Sequence, residues 1–293
     1  QLVMRVAGFT FIKNAILYDY PIYESISSIL PLCDELVVAV GKSDDATLEL
    51  IKSINSPKIQ IIETIWDESQ REGGRVLALE TDKAFQAISD QADWCFYIQG
   101  DEVIHENDYD NIRNAMAKYK DDPKIDGLLF EYCHLYGSYD YMATSSGWYK
   151  NEIRIVKKNK RIYSFRDAQG FRKDNNKKLC VAKTGATVYH YGWVKPPSKM
   201  QAKQKSFQKL WHNDQWVSNH VADSDEFDYS GIDVLEPFNG THPLVMQERI
   251  ASKNWKFDRD ISQNRKTVKE TVKKWFRQYL GLDFTYKNYI LKK

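Results

Sequence analysis

The stretch ADWCFYIQGDEVI, residues 92–104, decides the fold because an apolar run leads directly into a group of acids. Residues 94–98 form a short, continuously apolar run, which is typical of a strand covered on both faces. The polar segment QGDE, residues 99–102, follows without a break. Open α/β sheets bind ligands outside the carboxyl ends of their strands, and a glycine lets another group approach the backbone. The stretch therefore predicts a ligand site at a strand end, with an ordinary solvated strand exit as the alternative.

The chain before this stretch alternates between strand and helix patterns. Apolar, β-compatible runs cover residues 3–11, 35–41 and 58–65, and segments with apolar residues at helical spacing separate them. A further helical pattern opens at the glycine pair 73–74 and ends shortly before residues 94–98. This alternation indicates βαβ units and a mostly parallel sheet, so the α/β class is evident by residue 104.

The rest of the chain changes in character. A strand pattern at residues 127–134 is followed by a region rich in Tyr, Gly and Arg, residues 136–191, which predicts hairpins that extend the sheet and form a second half-site. Residues 199–211 look helical. Residues 213–245 are polar with scattered aromatics and predict a loop-rich excursion, which in a compact protein is more often functional than not.

The tail pattern over residues 261–280 predicts a basic amphipathic helix. Docking of this helix on the same chain or on a second copy, as a homo-oligomer, is the favoured interpretation. Peripheral contact with an anionic membrane surface is the alternative.

Composition and charge exclude several classes of protein. The 42 basic and 40 acidic residues nearly cancel, so there is no general field that would argue for nucleic-acid binding. No apolar run approaches the roughly 18 residues that span a bilayer, and the first residues lack a signal-peptide pattern. The four cysteines lie far apart, with no C-x-x-C pair and no spacing typical of metal ligands, which indicates buried, reduced thiols. We therefore expect a cytoplasmic protein, with a peripheral location at the inner face of the membrane as the alternative.

Four polar segments fall on one rim of the predicted sheet. They are residues 10–14 and 43–45, each after a strand, residues 73–75 at a helix start, and residues 99–102 after the buried strand. The first strand is not followed by G-x-G-x-x-G or by a Walker sequence, so neither a dinucleotide fold nor a P-loop NTPase is supported.

Over roughly residues 4–195 the sequence resembles a family-2 glycosyltransferase with the nucleotide-diphospho-sugar transferase (GT-A) fold. The segments that carry the resemblance are FTFIKN, ELVVAVGKSDDAT, a Gly-Arg helix start, and WCFYIQGDEV in the place of the family's D-x-D strand end. The resemblance implies a GT-A type α/β fold, with a mixed, mostly parallel central sheet flanked by helices and a C-terminal helical extension. The expected domain covers residues 1–245, with a nucleotide-binding half (1–104) and an acceptor half with loops (105–245), and the extension covers residues 246–293.

The resemblance also implies a nucleotide site. Asp45, with Asp44 beside it, would accept hydrogen bonds from the uracil or ribose, because an ionised carboxylate is an acceptor only. Helix N-capping explains the same two residues, and one acid can cap while the other binds. Arg75 would meet a phosphate or the sugar, with an ordinary surface arginine as the alternative. The expected nucleotide-binding residues are Thr10, Phe11, Asn14, Asp44, Asp45, Arg75, Gln99 and Gly100.

The metal site implied by the resemblance consists of Asp101 and His190. Asp101 matches the family's metal-binding aspartate, which would hold Mg²⁺ or Mn²⁺ against the diphosphate, because hard cations prefer carboxylate and phosphate oxygens. His190 would complete the metal or diphosphate site, with a hydrogen-bonded structural histidine as the alternative. Gln99 departs from the pattern, since a neutral amide stands where the family usually has the first aspartate of D-x-D.

An inverting transferase needs a general base, commonly Asp or Glu, for the acceptor hydroxyl. Asp167 is the first candidate and Glu152 the second, because both lie in the acceptor half. The alternative is that each pairs with a neighbouring cation, for example Glu152 with Arg154.

The sequence therefore predicts a glycosyltransferase that moves a sugar from a nucleotide-diphosphate donor, with a UDP-sugar as first choice, to a hydroxyl of a glycan or lipid-linked acceptor. The expected setting is surface polysaccharide or glycan biosynthesis. The alternative, motivated by Gln99, is a non-catalytic module that binds a nucleotide sugar or glycan. A nucleotidyltransferase is disfavoured because no Gly-rich phosphate loop follows the first strand.

Overall fold

The computed structural model describes residues 4–70, 72–212, 214–221, 224–231, 234–257, 260, 264 and 287–292. The helix predicted over residues 261–280, and with it most of the expected C-terminal extension, lies outside the described residues apart from residue 264. The division at residue 245 stays a prediction.

The strands and helices follow the alternation that the sequence predicts in the first half. The strands are β1 (Val6–Ile12), β2 (Glu35–Gly41), β3 (Ile59–Thr64), β4 (Trp94–Tyr97), β5 (Glu102–Ile104), β6 (Gly127–Tyr136), β7 (Tyr141–Ala143), β8 (Asn151–Lys157), β9 (Ile162–Phe165), β10 (Gly170–Lys173), β11 (Lys177–Lys178), β12 (Cys180–Trp193), β13 (Leu235–Pro237) and β14 (Ile290–Leu291). The helices are α1 (Ile22–Ile29), α2 (Thr47–Ser53), α3 (Arg75–Ala87), α4 (Tyr109–Tyr119), α5 (Pro197–Lys209), α6 (Asp214–His220) and α7 (Gln247–Ala251).

Within the described part of the chain, most strands join one 11-stranded sheet in the order β13-β7-β6-β8-β4-β1-β2-β3, to which β12 adds with β5 and β14. The pairs β1–β2, β2–β3, β1–β4 and β6–β12 are parallel, whereas β8 runs antiparallel between β4 and β6. Strands β9 to β11 form a separate three-stranded sheet. The predicted class, an α/β fold with a mixed, mostly parallel central sheet flanked by helices, is confirmed.

The core lies on both faces of the central sheet because alternate residues of the buried strands point to opposite sides. One layer packs under α1 and α4, and its cluster of buried residues includes Trp94 and Phe96 of β4 and Ile26 of α1. The other layer packs under α3 and the small sheet, where Tyr97 meets Phe9. Residues buried on both faces explain why the strands read as continuous apolar runs rather than as alternating ones.

Two boundaries differ from those expected. Thr10 lies inside β1 and is fully buried, so it is not part of the loop that follows the strand. Glu102 belongs to the short strand β5, which pairs antiparallel with β12 and is invisible to local patterns because its partner lies some 90 positions away.

Candidate active site

A cavity of about 1190 Å³ opens at the carboxyl edge of the central sheet. Its lining residues follow β3, β2, β1 and β4 and precede the antiparallel β8, so they are ordered along the edge as the strands are. Four strand spacings separate β3 from β8, a span of about 19 Å. The edge therefore offers an elongated site with one end beyond β3 and the other before β8.

The turn after β1 and the turn after β2 are tied to each other. The Asn14 side chain donates from Nδ2 to Asp44 Oδ2 (3.2 Å) and accepts at Oδ1 from the backbone N–H of Asp44 (2.8 Å). The backbone N–H of Asn14 donates to Ser43 Oγ (3.0 Å). Asn14 has φ 54°, in the left-handed region that costs a side-chain-bearing residue energy. Both Asn14 and Asp44 line the cavity.

Asp45 has a different task from Asp44. One carboxylate oxygen accepts from the Leu17 amide (2.7 Å) and the other from the Thr47 amide (3.0 Å) at the start of α2. Asp45 does not line the cavity, whereas the exposed Asp44 does. The structure thus separates the two acids into one that holds backbone and one that faces the cavity.

Aromatic and cationic side chains form the wall beyond β2. The rings of Phe11 and Trp66 lie 5.9 Å apart, and Lys13 Nζ is 5.4 Å from the Trp66 ring. All three residues line the cavity. The wall offers an apolar surface of two tilted rings next to a positive charge.

The centre of the cavity is formed by Asp101, His190 and Lys203. Asp101 Oδ2 lies 3.2 Å from Lys203 Nζ and 3.7 Å from His190 Nε2. Burial alone would raise the pKa of Asp101, but the charges of Lys203 and His190 outweigh it and hold this pKa well below its usual range. A methyl group at Gly192 would stand 2.6 Å from both Asp101 Oδ2 and His190 Nε2, so only glycine permits this approach.

A hydrogen bond between two histidines fixes the orientation of the His190 ring. His134 Nε2 lies 2.7 Å from the Tyr149 carbonyl, which can only accept, so Nε2 carries the proton. Burial, with the nearby His190, lowers the pKa of His134 to about 3, so this ring is neutral and its Nδ1 accepts from His190 Nδ1 at 3.0 Å. His190 therefore turns Nε2 towards Asp101 and the cavity.

Gln99 uses its amide to hold a neighbouring turn. Its Nε2 donates to the Ala168 carbonyl at 3.1 Å, and its backbone amide donates to Glu102 Oε2 at 3.1 Å. A carboxylate at this position could not make the first bond, because it has no donor. Gln99 and Gly100 line the cavity, and a methyl group at Gly100 would meet Ile12 at 2.9 Å.

Asp167 lies on the turn between β9 and β10 and lines the cavity. The residues on either side, Arg166 (φ 56°) and Ala168 (φ 65°), are both in the left-handed region, so the turn is strained around this carboxylate. Partial burial raises the pKa of Asp167. Strained backbone often marks functional positions, which makes Asp167 a candidate for chemistry.

Glu152 lies behind the main cavity, next to a separate small cavity of about 80 Å³. Gln169 Nε2 donates to Glu152 Oε1 at 2.7 Å, and Glu152 Oε2 is buried without a hydrogen-bond partner among the described residues. Burial raises the pKa of Glu152 to about 7. The alternative offered by the sequence, an ion pair between Glu152 and Arg154, is not present.

Arg154 instead pairs with Glu102 beneath the cavity. Arg154 Nη2 and Nε donate to the two Glu102 oxygens at 2.7 and 2.8 Å, and both side chains are almost fully buried. Tyr132 Oη adds a third bond to Glu102 at 2.8 Å. Removing one partner of such a buried pair leaves an uncompensated charge, so Glu102 has a supporting role beside the Asp101 position.

Aromatic side chains line the end of the cavity before β8. Trp148, Tyr149 and Trp193 reach the cavity, and the ring of Trp193 stacks on Tyr136 at 5.6 Å. The surface that results is large, apolar and rigid.

Helix α5 covers the cavity and supplies residues that the sequence did not single out. Apart from Lys203, the lining residues from this helix and the residue after it are Gln204, Ser206, Phe207, Gln208, Lys209 and Leu210. The segment reads only as helical, and no sequence motif indicates which face meets a ligand. Lys203 could be found only once the helix was placed over Asp101.

Two further expected site residues, Thr10 and Arg75, are not part of the cavity wall. Thr10 is buried in β1, where its hydroxyl lies 3.5 Å from the Phe11 carbonyl, and Arg75 is exposed at the start of α3. Neither lines the cavity. Within the residues that the structure describes, no group of three or more His, Cys, Asp or Glu side chains is arranged to hold a metal ion. No described helix combines the length and apolarity needed to cross a membrane.

No protein-family model and no curated protein matches the chain. Among solved structures, it is similar to a fragment of S. aureus TarS in complex with UDP, at 12% identity over 71% of this chain and 65% of that chain (TM-score 0.41). It is also similar to glucosyl-3-phosphoglycerate synthase from Mycobacterium tuberculosis in complex with Mn²⁺, UDP and phosphoglyceric acid, at 17% identity over 45% of this chain and 43% of that chain (TM-score 0.30). A third is the mannosyltransferase PcManGT from Pyrobaculum calidifontis in complex with GDP-Man and Mn²⁺, at 19% identity over 43% of this chain and 35% of that chain (TM-score 0.34).

The chain spans less than two thirds of the length of each of these proteins, and each TM-score is below 0.5.

Proposed function

We propose that this protein is a glycosyltransferase that moves a sugar from a nucleotide-diphosphate donor, with a UDP-sugar as first choice, to a hydroxyl of a glycan or lipid-linked acceptor. The observation that carries the proposal is that one elongated cavity unites polar turns, a charged centre, a carboxylate on a strained turn and an aromatic end. A donor with a base, a diphosphate and a sugar has the same linear order of chemical groups.

The nucleoside would occupy the end towards β3. Asp44 faces the cavity there as an acceptor for ring N–H groups or ribose hydroxyls, and Asn14 holds it in place. Phe11 and Trp66 supply apolar surface for the base. The diphosphate would then lie at the centre, next to Lys203 and His190, with Asp101 holding Lys203 in place.

The acceptor would enter from the aromatic end, where Trp148 and Trp193 provide a stacking surface for a sugar ring. Asp167 would act as the general base. Its carboxylate takes the proton from the acceptor hydroxyl as the acceptor oxygen bonds to the anomeric carbon, while the bond from that carbon to the diphosphate breaks on the opposite face. The configuration is therefore inverted, and the raised pKa of Asp167 strengthens it as a base.

Glu152 is the weaker candidate for the base because it does not line the main cavity. Gln169 lies between the two cavities and bonds to Glu152, so Glu152 would position Gln169 rather than contact an acceptor.

The resemblance implies Mg²⁺ or Mn²⁺ at Asp101 and His190, but the side chains present do not make a fitted cation site. Asp101 Oδ2 already faces the Lys203 ammonium at 3.2 Å, and Gln99 has turned its amide to Ala168. Hard divalent cations need several oxygen ligands, and here one carboxylate would have to serve a cation and a lysine together. The reaction above uses only groups of the chain itself.

The test is a panel of UDP-, GDP- and ADP-sugars, in which release of the nucleoside diphosphate is measured with water or mixed glycans as acceptor. At least one donor should be turned over, and Asp167→Asn should lower turnover by about 10²- to 10⁴-fold while donor affinity stays within about twofold. Asp174→Asn, a surface carboxylate paired with Arg161, is the matched control and should leave turnover unchanged.

Turnover by Asp167→Asn at the rate of the unaltered protein would remove Asp167 from the mechanism. Donor binding without any release of nucleoside diphosphate would support the alternative, a non-catalytic binding module. A complete failure of every donor to bind would overturn both.

A further inference from the structure

We propose that Lys203, and not a divalent cation, supplies the positive charge that meets the donor diphosphate, so that the nucleotide binds in the absence of metal. The inference rests on the proposed function and specifies how the centre of the same cavity recognises its ligand. It also assigns a binding role to helix α5, which neither the sequence patterns nor the resemblance single out.

Lys203 is held in a fixed position. Its Nζ donates to Asp101 Oδ2 at 3.2 Å and to the Gly192 carbonyl at 2.9 Å, and it lies 5.0 Å from the Tyr20 ring. The side chain is only 11% exposed. An ammonium carries three N–H donors, and these two acceptors use two of them, so one donor remains for a phosphate oxygen.

Lys203 would stand close to any cation bound to Asp101. Its ammonium already occupies Oδ2 of this carboxylate, and charges of the same sign at such distances repel strongly in a partly buried site. His190 Nε2 lies 3.7 Å from the same oxygen. Asp101 therefore acts as the anchor of a lysine here.

The residue at the other position of the D-x-D pattern, Gln99, also has a partner that is not a metal. Gln99 stands at the first position of that pattern and donates its amide to the Ala168 carbonyl, which an aspartate could not do. Two independent features, the amide of Gln99 and the ammonium at Asp101, thus point to the same conclusion.

The placement of the charges, not an excess of lysines, decides where a diphosphate can bind. Among the described lining residues, the three lysines are Lys13, Lys203 and Lys209, and the three aspartates are Asp44, Asp101 and Asp167. Lys195 is also nearby, but its buried ammonium donates to the Tyr18 and Asp19 carbonyls and does not line the cavity. Lys203 is the cation at the centre, next to the strand end where the diphosphate is expected.

The experiment is a calorimetric titration of the full chain with UDP, GDP and ADP, each in EDTA and in MnCl₂, and with inorganic pyrophosphate in EDTA. At least one nucleoside diphosphate and pyrophosphate should bind in EDTA, and MnCl₂ should change the nucleotide affinity by less than about threefold. Lys203→Met should weaken both ligands by about 10- to 100-fold, the range of one lost charge-assisted hydrogen bond.

Two control variants keep the result interpretable. Lys205→Met lies on the same helix but not on the cavity wall, and should bind as the unaltered protein does. Lys203→Arg retains the charge and should recover most of the affinity. Uridine or the matching nucleoside, which lacks phosphate, should bind equally to the unaltered protein and to Lys203→Met, which shows that the cavity remains folded.

Nucleotide binding that appears only with MnCl₂, or that is equal in Lys203→Met and the unaltered protein, would overturn the inference and leave the proposed transferase intact. Failure of all three nucleoside diphosphates to bind under either condition would overturn both.

Discussion

Gln99 stands where the resembled family has an acidic residue, and its environment explains the difference. The amide donates to the Ala168 carbonyl and so fixes the turn that carries Asp167. The strained backbone of that turn, with Arg166 and Ala168 both at positive φ, needs such an external tie. Gln99 is therefore part of the support for the proposed base.

Replacing Gln99 by Glu should lower the free energy of unfolding by about 1–3 kcal/mol, because a carboxylate would face the Ala168 carbonyl without a donor. Gln99→Met, which loses the bond but adds no charge, should cost less. Chemical denaturation of the three proteins measures the order. A Gln99→Glu variant that is as stable as the parent and gains Mn²⁺-dependent nucleotide binding would show that the amide has no supporting role.

The buried carboxyl of Glu152 should make stability depend on pH. Its pKa is raised to about 7 by burial, whereas in the unfolded chain it returns to its ordinary value, so between these pH values the native state binds one more proton than the unfolded state. The stability contribution is therefore complete at low pH and is lost as the pH rises towards and past 7, by roughly 3 kcal/mol at most.

Glu152→Gln should remove the loss of stability at high pH, because the amide does not ionise, and its side chain can still bond to Gln169. Denaturation curves at pH 5 and pH 8 give the comparison. We expect the variant to gain stability relative to the parent at pH 8 but not at pH 5, and equal pH slopes for the two proteins would show that Glu152 is already ionised in the folded state.

Single residues were predictable where a strand end places them. Asn14, Asp44 and Asp101 follow buried strands, and all three line the cavity. The sequence could not distinguish Asp45 from Asp44, or Thr10 from Phe11, as cavity residues. A shift of one position decides whether a side chain faces the cavity, the backbone or the core. Lys203 lies on a helix without any motif, so its role depends on contacts across about a hundred positions.

Among the elements, the parallel strands were the most predictable and the short ones the least. Strands β1, β2 and β4 are buried on both faces and read as apolar runs. The three-residue β5 exists because β12 pairs with it, not because its own sequence favours a strand. The helix predicted at residues 199–211 is present as α5, but its placement over the cavity follows from tertiary packing.

The start of α3 is where three elements meet. The Gly74 amide donates to the Leu210 carbonyl after α5 (3.0 Å), and a methyl group at Gly74 would stand 2.8 Å from Asp167 Cβ and 3.2 Å from the Trp211 ring. Gly73 has a similar backbone (φ 63° against 72°) but open space around it. The two glycines share a backbone requirement and differ in packing.

Gly73→Ala should cost about 1–2 kcal/mol, the penalty of a left-handed residue. Gly74→Ala should cost about 1–3 kcal/mol more, because Asp167 and Trp211 must also move. It should also lower donor turnover, which Gly73→Ala should preserve. Thermal denaturation together with the donor assay tests both parts, and equal behaviour of the two variants would mean that the contact at Gly74 is not needed.

At the scale of the whole molecule, the site depends on one long-range pairing. Strand β12 lies parallel to β6 and antiparallel to β5, and the Tyr191 amide donates to the Asp101 carbonyl at 2.8 Å. This pairing brings His190 to Asp101 although nearly ninety residues separate them in the chain. Local periodicity cannot predict such a contact, and the sequence resemblance alone pointed to it.

The same arrangement explains why the cavity is elongated. The parallel strands supply the end proposed for the nucleoside, β12 and α5 supply the charged centre, and the small sheet with the turn before β8 supplies the end proposed for the acceptor. Each part comes from a different stretch of the chain, so the site exists only in the complete fold.

The most direct test of this account is a crystal structure of the protein with the nucleoside diphosphate that binds it most tightly. The account predicts the base near Asp44 and Trp66, and the diphosphate beside Asp101, His190 and Lys203. A nucleotide bound elsewhere on the molecule, or with its base at the Trp148 end of the cavity, would contradict it.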